Sequence, residues 1–269
     1  MNANPAIKDF FRTLAQFAPN SFRLLYKVFK HSRRHSDDLG IFLDGVSFFN
    51  DGLATIHNSD FLKSPEFQSA YAAGHATGSW RGAVPLWRLH VALWAVSTCE
   101  RIEGDFVECG VYRGGMARAI VEYLKFEKLD RRYFLFDTFR GLVNEQLSQA
   151  ERDGAGRAED YEESLDAVHA TFREFPNVVL VPGAIPDSLS TVPIEKVAFL
   201  HIDLNCAAPE IAAAEYFWDK LSPGAMVLLD DYGYRGYLPQ KEAMDAFAKS
   251  KGISILSLPT GQGLWIKPN

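Results

Sequence analysis

Asp105-Phe-Val-Glu-Cys-Gly-Val-Tyr-Arg-Gly-Gly115 is the stretch whose reading decides the fold. Phe106 and Val107 make a short apolar run of buried-strand type, which meets an acid, Glu108, and then a glycine, Gly110. After Gly114 and Gly115, the apolar residues Met116, Ala119, Ile120, Tyr123 and Leu124 recur at helical spacing. Strand, glycine turn and helix in this order build the crevice of a doubly wound α/β sheet, where a strand's carboxyl end and a helix N-terminus face a ligand. A side chain at the turn would hold the backbone away from that ligand.

The spacing narrows the ligand. Val111-Tyr-Arg113 separates Gly110 from the next glycine, which breaks the dinucleotide fingerprint G-x-G-x-x-G. No lysine follows as a P-loop requires. An acid two residues before the first glycine, with no phosphate cradle, suits a ligand bearing an ammonium group, and S-adenosylmethionine is such a ligand. The competing reading is a tight strand-to-helix turn that binds nothing.

Outward from this turn the chain alternates strands and helices, as a parallel sheet requires. A helix at residues 87–99 leads into the central strand. Tyr133-Phe-Leu-Phe136 reads as a strand ending at Asp137-Thr138, and Val178-Val-Leu-Val181 as one ending at Pro182-Gly183-Ala184. Val197-Ala-Phe-Leu-His-Ile202 ends at Asp203, and Ala225-Met-Val-Leu-Leu229 ends at Asp230-Asp231. A helix is expected at 165–175 and another at 241–249. The polar segment 144–160, with Gly154 and Gly156, reads as a mobile loop or lid. A closing hairpin, with strands at 253–258 and 264–267, gives the sheet an antiparallel edge.

The strand ends carry the candidate chemistry. Asp137 is placed to accept hydrogen bonds from both ribose hydroxyls of a nucleoside, with turn capping as the alternative. A glycine at Gly183 lets adenine lie against the backbone. Asp203, Asp230 and Asp231 converge at the crevice mouth if the sheet is doubly wound. Three such carboxylates raise one another's pKa values, and a hard cation bound by oxygen, magnesium or calcium, removes the conflict. The alternative is that Asp230 and Asp231 cap a helix start.

Length and composition set bounds. The 269 residues, 47% apolar and 23% charged, describe a globular chain of one large domain or a domain with an appendage. Seven basic residues within positions 1–35 (Lys8, Arg12, Arg23, Lys27, Lys30, Arg33, Arg34) face one acid, Asp9, whereas the whole chain carries −6. The remainder is therefore strongly acidic, which argues against nucleic-acid binding. The first forty residues read as two helices. The second carries a basic stripe (Arg23, Lys27, Lys30, Arg34) that suits a solvated face on the core or on a second subunit better than a membrane surface. Three cysteines fit neither a disulfide framework nor a zinc site. No run approaches membrane-spanning length and no signal-peptide core follows Met1, so the expected compartment is the cytoplasm.

The motifs Val107-Glu-Cys-Gly-Val-Tyr-Arg-Gly-Gly115, Phe136-Asp-Thr-Phe-Arg-Gly-Leu142, Leu200-His-Ile-Asp203, Leu228-Leu-Asp-Asp-Tyr232 and Leu258-Pro-Thr-Gly-Gln-Gly263 follow one another in this order. Together they resemble the macrocin O-methyltransferase (TylF-type) family, over roughly residues 85–269. The resemblance implies the seven-stranded, Rossmann-like sheet of class I methyltransferases, mostly parallel with an antiparallel last strand. Residues 85–269 would form this domain and residues 1–84 a helical appendage or lid. It further implies an S-adenosylmethionine- and magnesium-dependent O-methyltransferase acting on a hydroxyl of a small molecule such as an antibiotic sugar, and the chain is expected to form a homo-oligomer such as a dimer. Cofactor contacts are implied at Glu108, Gly110, Tyr112, Gly114, Asp137 and Thr138, with Gly183 and Ala184 near adenine. Magnesium is implied at Asp203, Asp230 and Asp231, with Asp203 doubling as general base. The family usually has a second Asp and a Tyr after the strand-end Asp, where this chain has Asn205 and Ala207. The rival reading is therefore a cofactor-binding module without methyl transfer. A nicotinamide-dependent oxidoreductase fits the glycine spacing less well.

Overall fold

The computed structural model describes residues 46–152 and 162–269. The two amino-terminal helices expected from the sequence lie outside these residues, as does the glycine-bearing part of the expected lid. The chain divides into two compact units, residues 50–53 with 60–269 and residues 1–49 with 54–59. A short two-stranded hairpin comes first, β1 (Phe48–Asn50) and β2 (Leu53–Thr55). Its turn, Asn50–Leu53, belongs to the larger unit.

The larger unit continues with α1 (Pro65–Ala76), α2 (Leu86–Cys99), β3 (Asp105–Cys109), α3 (Gly115–Leu124) and β4 (Tyr133–Asp137). Then come α4 (Gln149–Arg152), α5 (Leu165–Phe172), β5 (Val178–Pro182), β6 (Val197–Ile202) and α6 (Ala207–Trp218). It closes with β7 (Leu221–Leu229), α7 (Leu238–Lys251), β8 (Leu256–Ser257) and β9 (Gly263–Ile266). Seven strands form one sheet in the order β5-β4-β3-β6-β7-β9-β8. Strands β3 to β7 are mutually parallel, and β9 runs antiparallel to both β7 and β8. The expected antiparallel strand is therefore one position in from the edge, and β8 outside it runs with the parallel set. The chain leaves β3 for β4 on one side and returns to β6 on the other. Such a reversal opens a crevice at the strands' carboxyl ends.

Both faces of the sheet are covered, so its strands read as nearly continuous apolar runs. Side chains alternate between the faces. Phe106, Tyr133, Leu135, Phe199 and Leu228 pack toward α1, α2 and α3. Val107, Phe134, Phe136, Leu200 and Val227 pack toward α6 and α7. Each fully buried phenylalanine among them contributes about 1.5–3 kcal/mol. α1 starts where the Ser64 hydroxyl accepts the Phe67 amide (3.3 Å) and Pro65 occupies the first turn. It lies so close to α3 that a Cβ on Gly74 would sit 2.6 Å from the Gly115 carbonyl oxygen.

Two strands differ from their expected bounds by more than one residue. β7 begins at Leu221, through Pro223 and Gly224, because Leu221 still pairs with Val197 across a register shift in β6. β8 shrinks to two residues, since it has only β9 to pair with and Leu256 is exposed. No described helix is long and apolar enough to cross a membrane.

Candidate active site

A cleft of about 290 Å³ opens at the carboxyl ends of β3, β4, β6 and β7. Glu108, Gly110, Tyr112, Asp137 and Thr138 line it, as do Gly183, Ala184, Asp203, Asp230 and Asp231. Gly114 does not: it precedes α3, and a Cβ there would meet the Phe172 ring of α5 at 2.7 Å.

The floor of the cleft is the turn after β3. Gly110 has φ +92°, and a Cβ on it would lie 2.5 Å from the carbonyl carbon of Asp203 and closer still to its oxygen. The ends of β3 and β6 thus meet at Gly110, fastened by the Asp203 amide donating to the Cys109 carbonyl (2.8 Å). Asp137 organises this turn. Its Oδ2 accepts the amides of Val111 (2.6 Å) and Tyr112 (2.8 Å), and its Oδ1 accepts the amide of Phe139 (2.7 Å). Tyr112, Phe139 and Asn205 all have positive φ, just past the ends of β3, β4 and β6, and all line the cleft. Non-glycine residues rarely adopt this conformation, and such strain concentrates at functional sites. The Thr138 hydroxyl is used within its own loop, donating to the Gly141 carbonyl at 2.6 Å. A Cβ on Gly183 would meet Ser188 at 3.0 Å, so local packing already favours glycine there.

The segment after β4 wraps over the cleft. Its α4 carries Glu151, which accepts the Ala207 amide at the start of α6 (2.7 Å) and the Ser148 amide (2.8 Å). Gln146 donates to the Ile185 carbonyl at 2.6 Å. The described part of the expected lid is therefore fastened down.

A polar row crosses the sheet beneath the cleft. Glu108 and His201 are direct partners in the β3–β6 register, both buried, and the Tyr133 hydroxyl donates to Glu108 Oε2 at 2.6 Å. His201 Nδ1 lies 3.5 Å from that oxygen and Nε2 lies 3.8 Å from Asp230 Oδ1. These separations exceed ordinary hydrogen bonds, so the attraction is ionic. Burial opposes the charged imidazole, yet the carboxylates of Asp230 and Glu108 outweigh it and lift the His201 pKa to about 10. Removing the buried hydroxyl in Tyr133→Phe should cost about 1.5–3 kcal/mol, as for a hydrogen bond to a charged group. A urea titration should show the lowered midpoint, and an unchanged midpoint would show that the bond contributes nothing.

Asp203, Asp230 and Asp231 each offer an oxygen within 4.8 Å of the others'. Burial, then the charges of Asp230 and Asp231, push the Asp203 pKa far above the usual carboxylate range. Burial, then Asp230 and Glu210, push Asp231 up to about 8. Asp230 goes the other way. Burial opposes ionisation, but Arg88 foremost, with His201 and Gln262, holds its pKa low. Arg88 Nη1 reaches Asp230 Oδ2 at 2.6 Å, and Gln262 Nε2 donates to Oδ1 at 3.0 Å. The aspartates do not cap a helix: α7 begins at Leu238 with no side-chain cap. Three carboxyl groups are thus crowded into a largely buried place, and an all-oxygen donor set of this kind fits a hard divalent cation.

Arg88, Asp51, His201 and Gln262 are absent from the sequence-derived site. Two of them carry a signal in retrospect. Arg88 is a charge in the otherwise apolar opening turn of α2, and His201 is the one polar residue of a wholly buried strand.

The sequence model of the macrocin-O-methyltransferase (TylF) family matches residues 74–256. The mycinamicin III 3''-O-methyltransferase of Micromonospora griseorubida is 27% identical over 169 residues, 58% of this chain and 64% of that protein. The demethyldecarbamoylnovobiocin O-methyltransferase of Streptomyces niveus is 30% identical over 157 residues, 55% of this chain and 59% of that protein. The chain thus spans about 60% of the length of the curated relatives it matches. Among solved structures, the O-methyltransferase NovP superposes with a TM-score of 0.64 at 21% identity, covering 79% of this chain and 100% of that one. The calicheamicin methyltransferase CalS11 gives a TM-score of 0.54 at 17% identity, covering 79% of this chain and 95% of that one. Both share the fold.

Proposed function

The chain belongs to the macrocin-O-methyltransferase family, and from that premise we propose that it is an S-adenosylmethionine- and magnesium-dependent O-methyltransferase acting on a sugar hydroxyl of a small glycosylated molecule. One observation carries the reading. The Gly110 turn, with Glu108 beneath it and Asp137 behind it, opens into the same cleft as the Asp203, Asp230 and Asp231 cluster. On this reading a donor site and an acceptor site would share one chamber.

S-adenosylmethionine would supply an electrophilic methyl group, and magnesium would supply positive charge to the acceptor oxygen. The chain's own residues do the rest. Glu108 lines the cleft under the Gly110 turn, and its carboxylate, shared with His201 and the Tyr133 hydroxyl through Oε2, would also accept from an ammonium group. Asp137 holds the amides of Val111 and Tyr112 in place, so the turn is preorganised before any ligand arrives. Asp203, kept ionised by cation charge beside it, accepts the proton of the acceptor hydroxyl on a carboxylate oxygen. Ser79, Trp80 and Ala83 also wall the cleft.

A second reading, a cofactor-binding module without methyl transfer, draws on Asn205. Its amide donates to Asp203 Oδ1 at 3.2 Å, where the family's second carboxylate would stand. Turnover decides between them. Purified protein incubated with methyl-labelled S-adenosylmethionine and a panel of glycosides and catechols should label a glycoside, and calorimetry should detect S-adenosylhomocysteine but not NAD. Cofactor binding with no labelled product from any acceptor in the panel would favour the module; no cofactor binding would sink both readings.

A further inference from the structure

We propose that Arg88 is a built-in rival for the cation site, and that Asp51 is the seat to which it withdraws when a divalent ion binds. The inference rests on reading Asp203, Asp230 and Asp231 as that site. Arg88 stands between two carboxylates. Toward Asp51 it presents a fork, with Nε 2.7 Å from Oδ2 and Nη2 3.1 Å from Oδ1. Toward Asp230 it presents one bond, Nη1 to Oδ2 at 2.6 Å. All three side chains are largely buried, at 17%, 13% and 5% exposure for Arg88, Asp51 and Asp230.

The asymmetry between fork and single bond gives the device its direction. The paired, planar bonds to Asp51 are the more specific and the stronger. Letting go of Asp230 therefore leaves Arg88 still paired, and no charge is stranded. Asp230 has no second free side to offer: Gln262 takes Oδ1, with His201 beyond it. Asp203 and Asp231 have no arginine or lysine hydrogen-bonded to them among the described residues. A divalent ion drawn to those two would therefore have to compete for Asp230 with the guanidinium already there. Without the ion, Arg88 relieves the repulsion among the three carboxylates and keeps the cluster assembled. Arg88 is in this sense a positioning residue that sets cation affinity.

The test is calorimetric titration of the full chain with magnesium chloride, beside melting temperatures in chelator and in excess magnesium. Arg88→Met should bind magnesium about tenfold more tightly or better, melt lower than wild type in chelator, and gain more from added ion. Arg88→Lys keeps the charge but cannot hold both carboxylates, so its affinity should fall between wild type and Arg88→Met. Asp51→Asn removes the seat and should weaken binding several-fold. A purely structural role for Arg88 predicts the opposite sign, because damage to the site lowers affinity. Affinity in Arg88→Met or Arg88→Lys equal to or weaker than wild type would overturn the proposal, with wild-type binding leaving the metal reading intact. Tighter binding by Asp51→Asn would overturn it too, and this variant answers even if the Arg88 variants do not fold. Absence of magnesium binding by every protein would instead overturn the metal reading itself, and the rivalry with it.

Discussion

Gly110→Ala should yield a protein that binds no S-adenosylhomocysteine and melts far below wild type. Two independent costs fall on this residue. At φ +92° an alanine is strained by its own backbone. Its methyl would also lie 2.5 Å from the Asp203 carbonyl carbon, and backbone cannot yield as a flexible side chain does. The ends of β3 and β6 must then part, breaking the Asp203 amide bond to Cys109 and the floor of the cleft. Backbone strain of this kind costs about 1–3 kcal/mol before the steric term is added. Thermal melting and calorimetry read the two consequences separately. Wild-type melting with intact cofactor binding would mean that the strand ends do not meet as described.

The other large effect concerns the acceptor side. Chelation should abolish methyl transfer while leaving S-adenosylhomocysteine binding largely intact, because the carboxylate cluster and the Gly110 turn are different parts of the cleft. Asp231→Asn should be partly rescued by excess magnesium. Asp203→Asn should resist rescue, since it removes a ligand and the proton acceptor together, and a general base commonly contributes ~100- to 10,000-fold. Asp230→Asn is a different case. It takes a shared buried partner from Arg88 and His201, which fall back on Asp51 and Glu108, and losing a hydrogen bond to a charged group costs about 1.5–3 kcal/mol. Its melting temperature should therefore fall more than that of Asp231→Asn. Full activity in chelator would falsify the metal assignment.

The parallel strands are legible because burial on both faces leaves them as unbroken apolar runs, each ending at a polar residue or a glycine. The convergence of Asp203, Asp230 and Asp231 follows from the same cue: Asp203 and Asp230 are each the first polar residue after a buried strand, and Asp231 follows Asp230. What pattern cannot supply is lateral register. Glu108 and His201 become partners only once β3 and β6 are aligned. Arg88 meets Asp51 and Asp230 across sequence separations of 37 and 142 residues, and no local periodicity encodes such a meeting. The two-residue β8 illustrates the converse. Its apolar neighbours promise a full strand, but only one side of it has a partner.

The brevity of β8 bears on how this molecule keeps company with its own kind. A sheet edge with unpaired amides and carbonyls is a template for another chain's strand, and aggregation begins there. One edge here offers only Leu256–Ser257. The other, β5, runs into Pro182, which has no amide hydrogen to donate. Leu256 and Ile266 are exposed at 59% and 52%, a stickiness the short backbone ladder does little to exploit. Lengthening β8, for instance by replacing exposed residues after Gly252 with β-branched ones, would remove this guard and invite strand-to-strand association.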